Sequence, residues 1–88
     1  MKFSVLLPTR NGAKYLKSCI DSVLSQDYRD MELIVFDNAN TDNTSEIVKL
    51  FSDDKRLKYY RTDTVVSVTE NWNNALKKSS GDYVLMIG

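Results

Sequence analysis

The chain is predicted to fold as a three-layer α/β domain around a mostly parallel, four-stranded sheet of β-α-β-α-β-α-β order, Rossmann-like in its winding. Three observations predict this. Four short runs, 3–7, 32–36, 57–60 and 83–87, are rich in Val, Ile, Leu, Phe and Tyr and lack strict polar alternation, as strands buried on both faces do. The segments between them carry a helical period. The strand starts, near residues 3, 32, 57 and 82, are spaced like successive βα units of about 30 residues with right-handed crossovers.

Element by element, the first run leads into Pro8, which has no amide hydrogen and so ends a ladder. Leu16, Cys19, Ile20, Val23 and Leu24 then fall on one helical stripe, with Asn11 in front as a cap. Cys19 lies on that stripe, which predicts a buried, inert thiol. After the second run, Ile47, Leu50 and Phe51 repeat the pattern behind Asn43 and Glu46, which read as a capping box. Tyr59 and Tyr60 belong to the third strand. Trp72, Ala75 and Leu76 form the apolar side of a third helix that starts after Thr69 and stops at Ser79-Ser80-Gly81. The fourth run, 83–87, is as apolar as the first and needs cover on both faces. A sheet that stops there is expected to expose an apolar face and edge, and so to self-associate. There is no repeat, low-complexity tract or linker, so residues 1–88 are expected to form one domain.

Composition narrows the chemistry. Twelve Lys and Arg balance twelve Asp and Glu, which argues against a nucleic-acid binder working by bulk charge. The absence of histidine removes Ser-His-Asp and Cys-His catalysis and His-ligated zinc. One cysteine allows no internal disulfide and fits a reducing compartment. No apolar run approaches the roughly 18 residues of a membrane span. Pro8 to Asn11 also interrupt any signal-peptide core, so a cytoplasmic location is expected. Carboxylates, amides and hydroxyls remain as chemical tools.

In open α/β sheets ligands bind beyond the carboxyl ends of the strands. The first strand ends in Leu7-Pro8-Thr9-Arg10-Asn11-Gly12, where backbone groups of Thr9 to Asn11 can face a ligand or simply lead into a helix cap. This loop has neither the three glycines of a dinucleotide fingerprint nor the G-K-[ST] ending of a P-loop. The second strand ends in Phe36-Asp37-Asn38. Asp37 suits either an acceptor for a base or ribose or an Asx-turn, whereas Asn40, Thr41, Asp42 and Asn43 read as turn and cap. After the third strand, Arg61 reads as a solvated surface residue. Glu70 to Asn74 place amides in the first turn of the third helix, which suits a polar ligand or an anion but reads first as a polar N-terminus with Trp72 in the core.

Taken in order, these pieces resemble the N-terminal part of family-2-type glycosyltransferases of the GT-A fold. The likeness rests on Ser4-Val5-Leu6-Leu7-Pro8-Thr9-Arg10-Asn11, on Leu16 to Gln26, on Glu32 to Thr44, and on Asn73-Asn74-Ala75-Leu76 with Ser80-Gly81-Asp82-Tyr83-Val84. It covers essentially the whole chain. Asn38 stands where many members have a second aspartate, Asn40 where serine is usual, Trp72 where arginine is, and Ala75 where glycine is.

The resemblance implies a transferase that passes sugar from a nucleotide-diphosphate donor, most often a UDP-sugar, to an acceptor hydroxyl with inversion. Carried over by position, the Pro8-Thr9 turn contacts the base through its backbone, Asp37 accepts from base or ribose, and Asn11 and Asn38 complete the donor site. The family's Asp-x-Asp motif, which holds a divalent metal (Mg or Mn), would follow the fourth strand, and the catalytic base lies later still. No residue here is therefore assigned to catalysis or metal binding, and the 88-residue chain alone is expected to be inactive. A stand-alone α/β interaction module is the alternative. A receiver-like signalling domain fits poorly, because the first strand ends in Pro-Thr rather than in an acidic cluster.

Overall fold

The computed structural model describes residues 1–10, 13–39 and 43–87. Its elements alternate as predicted: β1 (Phe3–Thr9), α1 (Ala13–Leu24), β2 (Met31–Asp37), α2 (Thr44–Lys49), β3 (Leu57–Arg61), α3 (Val68–Lys78) and β4 (Tyr83–Met86). The four strands form one sheet in the order β3-β2-β1-β4, with every described pairing parallel. Leu6 lies between Ile34 and Met86 in register, and Thr9 opposite Asp37.

Side-chain alternation along the two central strands builds the three layers. Val5, Leu7, Leu33 and Val35 join Leu16, Ile20 and Val48 from α1 and α2 on one face. Leu6, Ile34 and Phe36 meet Ala75 of α3 on the other. A strand with apolar residues at both parities has to be covered twice, which is why β1 and β2 read as unbroken runs.

Several expectations need correction. β3 is not buried on both faces but half-buried until Arg61, which is exposed, whereas Tyr83, Val84 and Leu85 of β4, 54, 44 and 58% exposed, form the apolar face and edge expected of a sheet that stops there. Among the described residues β4 pairs with β1 alone, at the edge of the sheet. An apolar groove of about 370 Å³ opens beside it, lined by Phe3, Val5, Val23, Met31, Leu85 and Ile87.

On α3 the predicted stripe holds at Ala75 and fails at Trp72 and Leu76. Asn71 and Ala75 face the sheet, whereas Trp72 and Leu76 are 45 and 47% exposed. One residue is a turn of about 100° around the helix, enough to move a side chain from core to solvent. The cap of α3 is Ser67, whose Oγ accepts from the Glu70 amide at 3.1 Å, rather than Thr69. Asn43 makes no side-chain cap bond to α2, Leu50 lies just past that helix and is exposed, and Cys19 is half-buried rather than sealed. Asn11, the predicted cap of α1, lies outside the described residues.

Gly81 does more than stop a helix. A Cβ there would lie 2.6 Å from Ser4 Oγ and 2.7 Å from the Ser4 amide nitrogen. Glycine lets the chain pass close enough for its own amide to donate to Ser4 Oγ at 2.8 Å. That contact belongs to a buried cluster at the amino ends of the strands, centred on Glu32. The Glu32 carboxylate accepts from Ser4 Oγ at 2.6 Å, Lys58 Nζ at 2.7 Å and the Ser80 amide at 2.7 Å. Burial pushes its pKa up, but the hydrogen bonds from Lys58, Ser4 and Ser80 outweigh that and hold it at about 2. Four separate segments are tied together at one carboxyl group.

Candidate functional site

At the opposite, carboxyl end of the sheet, the two ladders of β1 end at different heights. The Leu6 carbonyl accepts from Ile87 on the β4 side, and the Thr9 carbonyl accepts from Asn38 on the β2 side. Backbone groups alternate sides along a parallel strand, so the missing Pro8 amide falls on the β4 side. Pro8 therefore ends only the β4 ladder, while the β2 ladder runs on to Thr9 and Asp37. The strand runs two residues past the predicted 3–7, with Thr9 buried beside β2.

Past Asp37 the backbone turns sharply. The Ala39 amide donates to the Asp37 carbonyl at 3.0 Å, and Ala39 has φ of 47°, the left-handed region that costs a side-chain-bearing residue about 1 kcal/mol. The turn aims Asn38 at the loop before α3. Asn38 Nδ2 donates to the Val66 carbonyl and Asn38 Oδ1 accepts from the Val66 amide, both at 2.8 Å. This paired bond pins the residue just ahead of the Ser67 cap, and so places the start of α3 over the end of β2.

The result is a cleft of about 210 Å³ lined by Pro8, Thr9, Arg10, Asn38, Val68, Asn71 and Trp72. Three predicted residues, Pro8, Thr9 and Asn38, share it. Asp37 stands apart from these walls: it is fully buried, and Tyr59 donates its phenolic proton to Asp37 Oδ2. Arg61 Nη1 lies 3.7 Å from the same oxygen. Burial, and then the bond to Asp37, push the Tyr59 phenol up to about 12, so it stays a proton donor at neutral pH. Arg61 is thus the charge partner of Asp37 as well as a half-exposed surface residue. Asn11, the fifth predicted site residue, is outside the described residues, as are Asn40, Thr41 and Asp42.

Sequence reading missed Tyr59 as a partner of Asp37, and Asn71 as a buried wall of the cleft. The first signal is the parallel register that sets Asp37 beside Arg61, visible only once strands are paired. The second is that α3 turns its small and polar residues, rather than its largest apolar ones, to the sheet. Among the described residues no three His, Cys, Asp or Glu side chains gather to hold a metal ion, and no described helix is long and apolar enough to cross a membrane.

A parallel sheet ordered β3-β2-β1-β4, with helices on both faces and a cleft of mixed polarity beyond its central strands, defines a Rossmann-like α/β domain. Residues 4–88 match the sequence model of a family described as Glycosyl transferase family 2, and the chain belongs to that family. It is 36% identical over 88 residues to the GalNAc(5)-diNAcBac-PP-undecaprenol beta-1,3-glucosyltransferase of Campylobacter jejuni, covering 98% of this chain and 28% of that protein. The crystal structure of Staphylococcus aureus TarS 1-349 in complex with UDP-GlcNAc superposes with a TM-score of 0.92 at 34% identity, covering 99% of this chain and 26% of that one. Mannosyltransferase PcManGT from Pyrobaculum calidifontis, in complex with GDP-Man and Mn2+, gives a TM-score of 0.84 at 26% identity, covering 94% and 26%. The fold is the N-terminal part of a GT-A fold. The chain spans about a quarter of the length of each of these relatives.

Proposed function

We propose that residues 1–88 are the donor-nucleotide portion of a glycosyltransferase, binding a nucleotide-diphosphate sugar, a UDP-sugar foremost, at the carboxyl ends of β1 and β2. The observation that carries this reading is the convergence of Pro8, Thr9 and Asn38 on one cleft, with buried Asp37 in register beside Thr9. Family membership, and a similar structure holding UDP-GlcNAc, support it. In this reading the Pro8-Thr9 backbone meets the base, Asn11 completes the donor site, and Asp37, oriented by Tyr59 and Arg61, accepts from base or ribose. Asn38 contributes by holding the loop at Val66.

Transfer to an acceptor hydroxyl with inversion, and a divalent metal at the pyrophosphate, are proposals for a full-length enzyme. PcManGT with Mn2+ is the precedent for the metal. Among the described residues no cluster of carboxylates or thiols would hold that metal. The chain by itself is proposed to bind donor without turning it over, and to work in the cytoplasm. Calorimetry with UDP tests the site. An Asp37→Asn variant, which keeps the shape and removes the charge, is expected to bind UDP about tenfold more weakly, as loss of a charged hydrogen bond implies. Equal affinity would remove Asp37 from the site.

A further inference from the structure

The side chain of Asn71 is 3% exposed. Its Nδ2 donates to the Phe36 carbonyl at 3.3 Å. A carbonyl only accepts, so that bond fixes which branch of the amide is nitrogen and which is oxygen. Asn71 Oδ1 has no hydrogen-bond partner among the described residues. Buried amide oxygens are nearly always satisfied, and each exception calls for a physical reason. Its bond to Phe36 explains the nitrogen and leaves the oxygen unaccounted for. Asn71 also forms a wall of the cleft with Thr9, Arg10, Asn38, Val68 and Trp72. At about 210 Å³ the cleft is smaller than the roughly 300 Å³ at which whole-ligand pockets begin, a size for one part of a ligand. Trp72, 45% exposed, gives it an aromatic wall of the kind on which a flat ring stacks.

We propose that Asn71 Oδ1 is a specificity-determining acceptor for a ring N–H of the bound base. The proposal rests on the nucleotide reading above. Uracil and guanine present a ring imide or amide N–H, whereas cytosine and adenine present a lone pair at the corresponding ring nitrogen. A lone pair would face the Asn71 oxygen with no proton between them. A site with a buried unpaired acceptor rejects such a base more strongly than it rejects a change of apolar size. Asn71 would then favour uridine and guanosine nucleotides over cytidine and adenosine nucleotides. The single-ring size of the cleft leaves uridine as the better fit.

The test measures dissociation constants for UDP, CDP and N3-methyl-UDP, in which a methyl group replaces the ring proton, on the wild type and on Asn71→Leu. The wild type is expected to prefer UDP to both others by about tenfold, the scale of one hydrogen bond left unmade. In Asn71→Leu the preference over CDP should collapse towards one, with the fold checked by its amide NMR spectrum. If that spectrum is lost, Asn71→Ala takes its place. A wild type that binds UDP and CDP alike overturns the inference and leaves the nucleotide reading intact. A preference that survives the substitution also overturns it. A loss seen instead with 2′-deoxy-UDP, and abolished by the substitution, gives the acceptor to a ribose hydroxyl and overturns the assignment to the base. A wild type that binds no nucleotide removes both readings together.

Discussion

Removing the charge of Glu32 should unlock the amino end of the sheet, and the size of the effect follows from its surroundings. The Glu32→Gln variant keeps the side-chain volume but gives Lys58 an uncharged partner and turns an amide into a site built to accept from Ser4, Ser80 and Lys58. A carboxyl held at about 2 against an ordinary 4.5 contributes about 3 kcal/mol at neutral pH, from 1.36 kcal/mol per tenfold change in proton affinity. That is a large share of the stability of a domain this size, about 0.05–0.15 kcal/mol per residue. In thermal unfolding followed by circular dichroism, Glu32→Gln is expected to melt roughly 12–24 °C lower at pH 7. The pH dependence fixes the cause. Because the folded pKa lies below the unfolded one, the contribution is complete above pH 4.5 and is lost as the pH falls towards 2. Wild type and variant should therefore converge near pH 2. A gap that stays the same from pH 7 to pH 2.5 would refute the reasoning and assign the effect to shape.

Three further outcomes follow. Gly81→Ala places a Cβ against Ser4 side chain and backbone at 2.6 and 2.7 Å, and is expected to cost about 1–3 kcal/mol in urea unfolding; a neutral result would contradict so close an approach. Asn38→Asp keeps the shape but sets a carboxylate oxygen against the Val66 carbonyl, so hydrogen exchange at the Val66 amide should quicken and stability fall by about 1–3 kcal/mol. The exposed edge strand, with Tyr83, Val84 and Leu85 beside an apolar groove, is proposed to pair with a second copy; light scattering should show a mass rising with concentration, and a monomer throughout would dismiss it.

The sheet and its order of elements were legible because β1 and β2 carry apolar residues at both parities and α1 a clean stripe, signals that need no tertiary information. The failures share a physical cause. Trp72 and Leu76 are the largest apolar residues of α3, so hydrophobicity alone picks them, yet the helix sits close enough to Leu6 and Phe36 that only Ala75 and Asn71 fit beneath it. Glu32 sits at the head of an apolar run, and its partners come from residues 4, 58 and 80, three segments that only the fold assembles. The Ser67-x-x-Glu70 spacing is a cap signal in the sequence itself, and Thr69 lies two positions inside the helix. At the candidate site, Asp37 and Asn38 were visible as a strand-end pair. Their division of labour was not. Asn38 supplies both a donor and an acceptor to Val66, which an aspartate cannot do, and this gives the departure from the family's second acidic residue a structural reason.

The central claim is that the carboxyl end of the sheet binds a nucleotide. The most direct measurement is an NMR titration of the 15N-labelled chain with UDP. The account predicts saturable amide shifts concentrated at Thr9, Asp37, Asn38 and Asn71, with the Glu32 cluster at the far end unmoved. No shift at these residues on the order of millimolar UDP, the weak end of specific affinity, would contradict it.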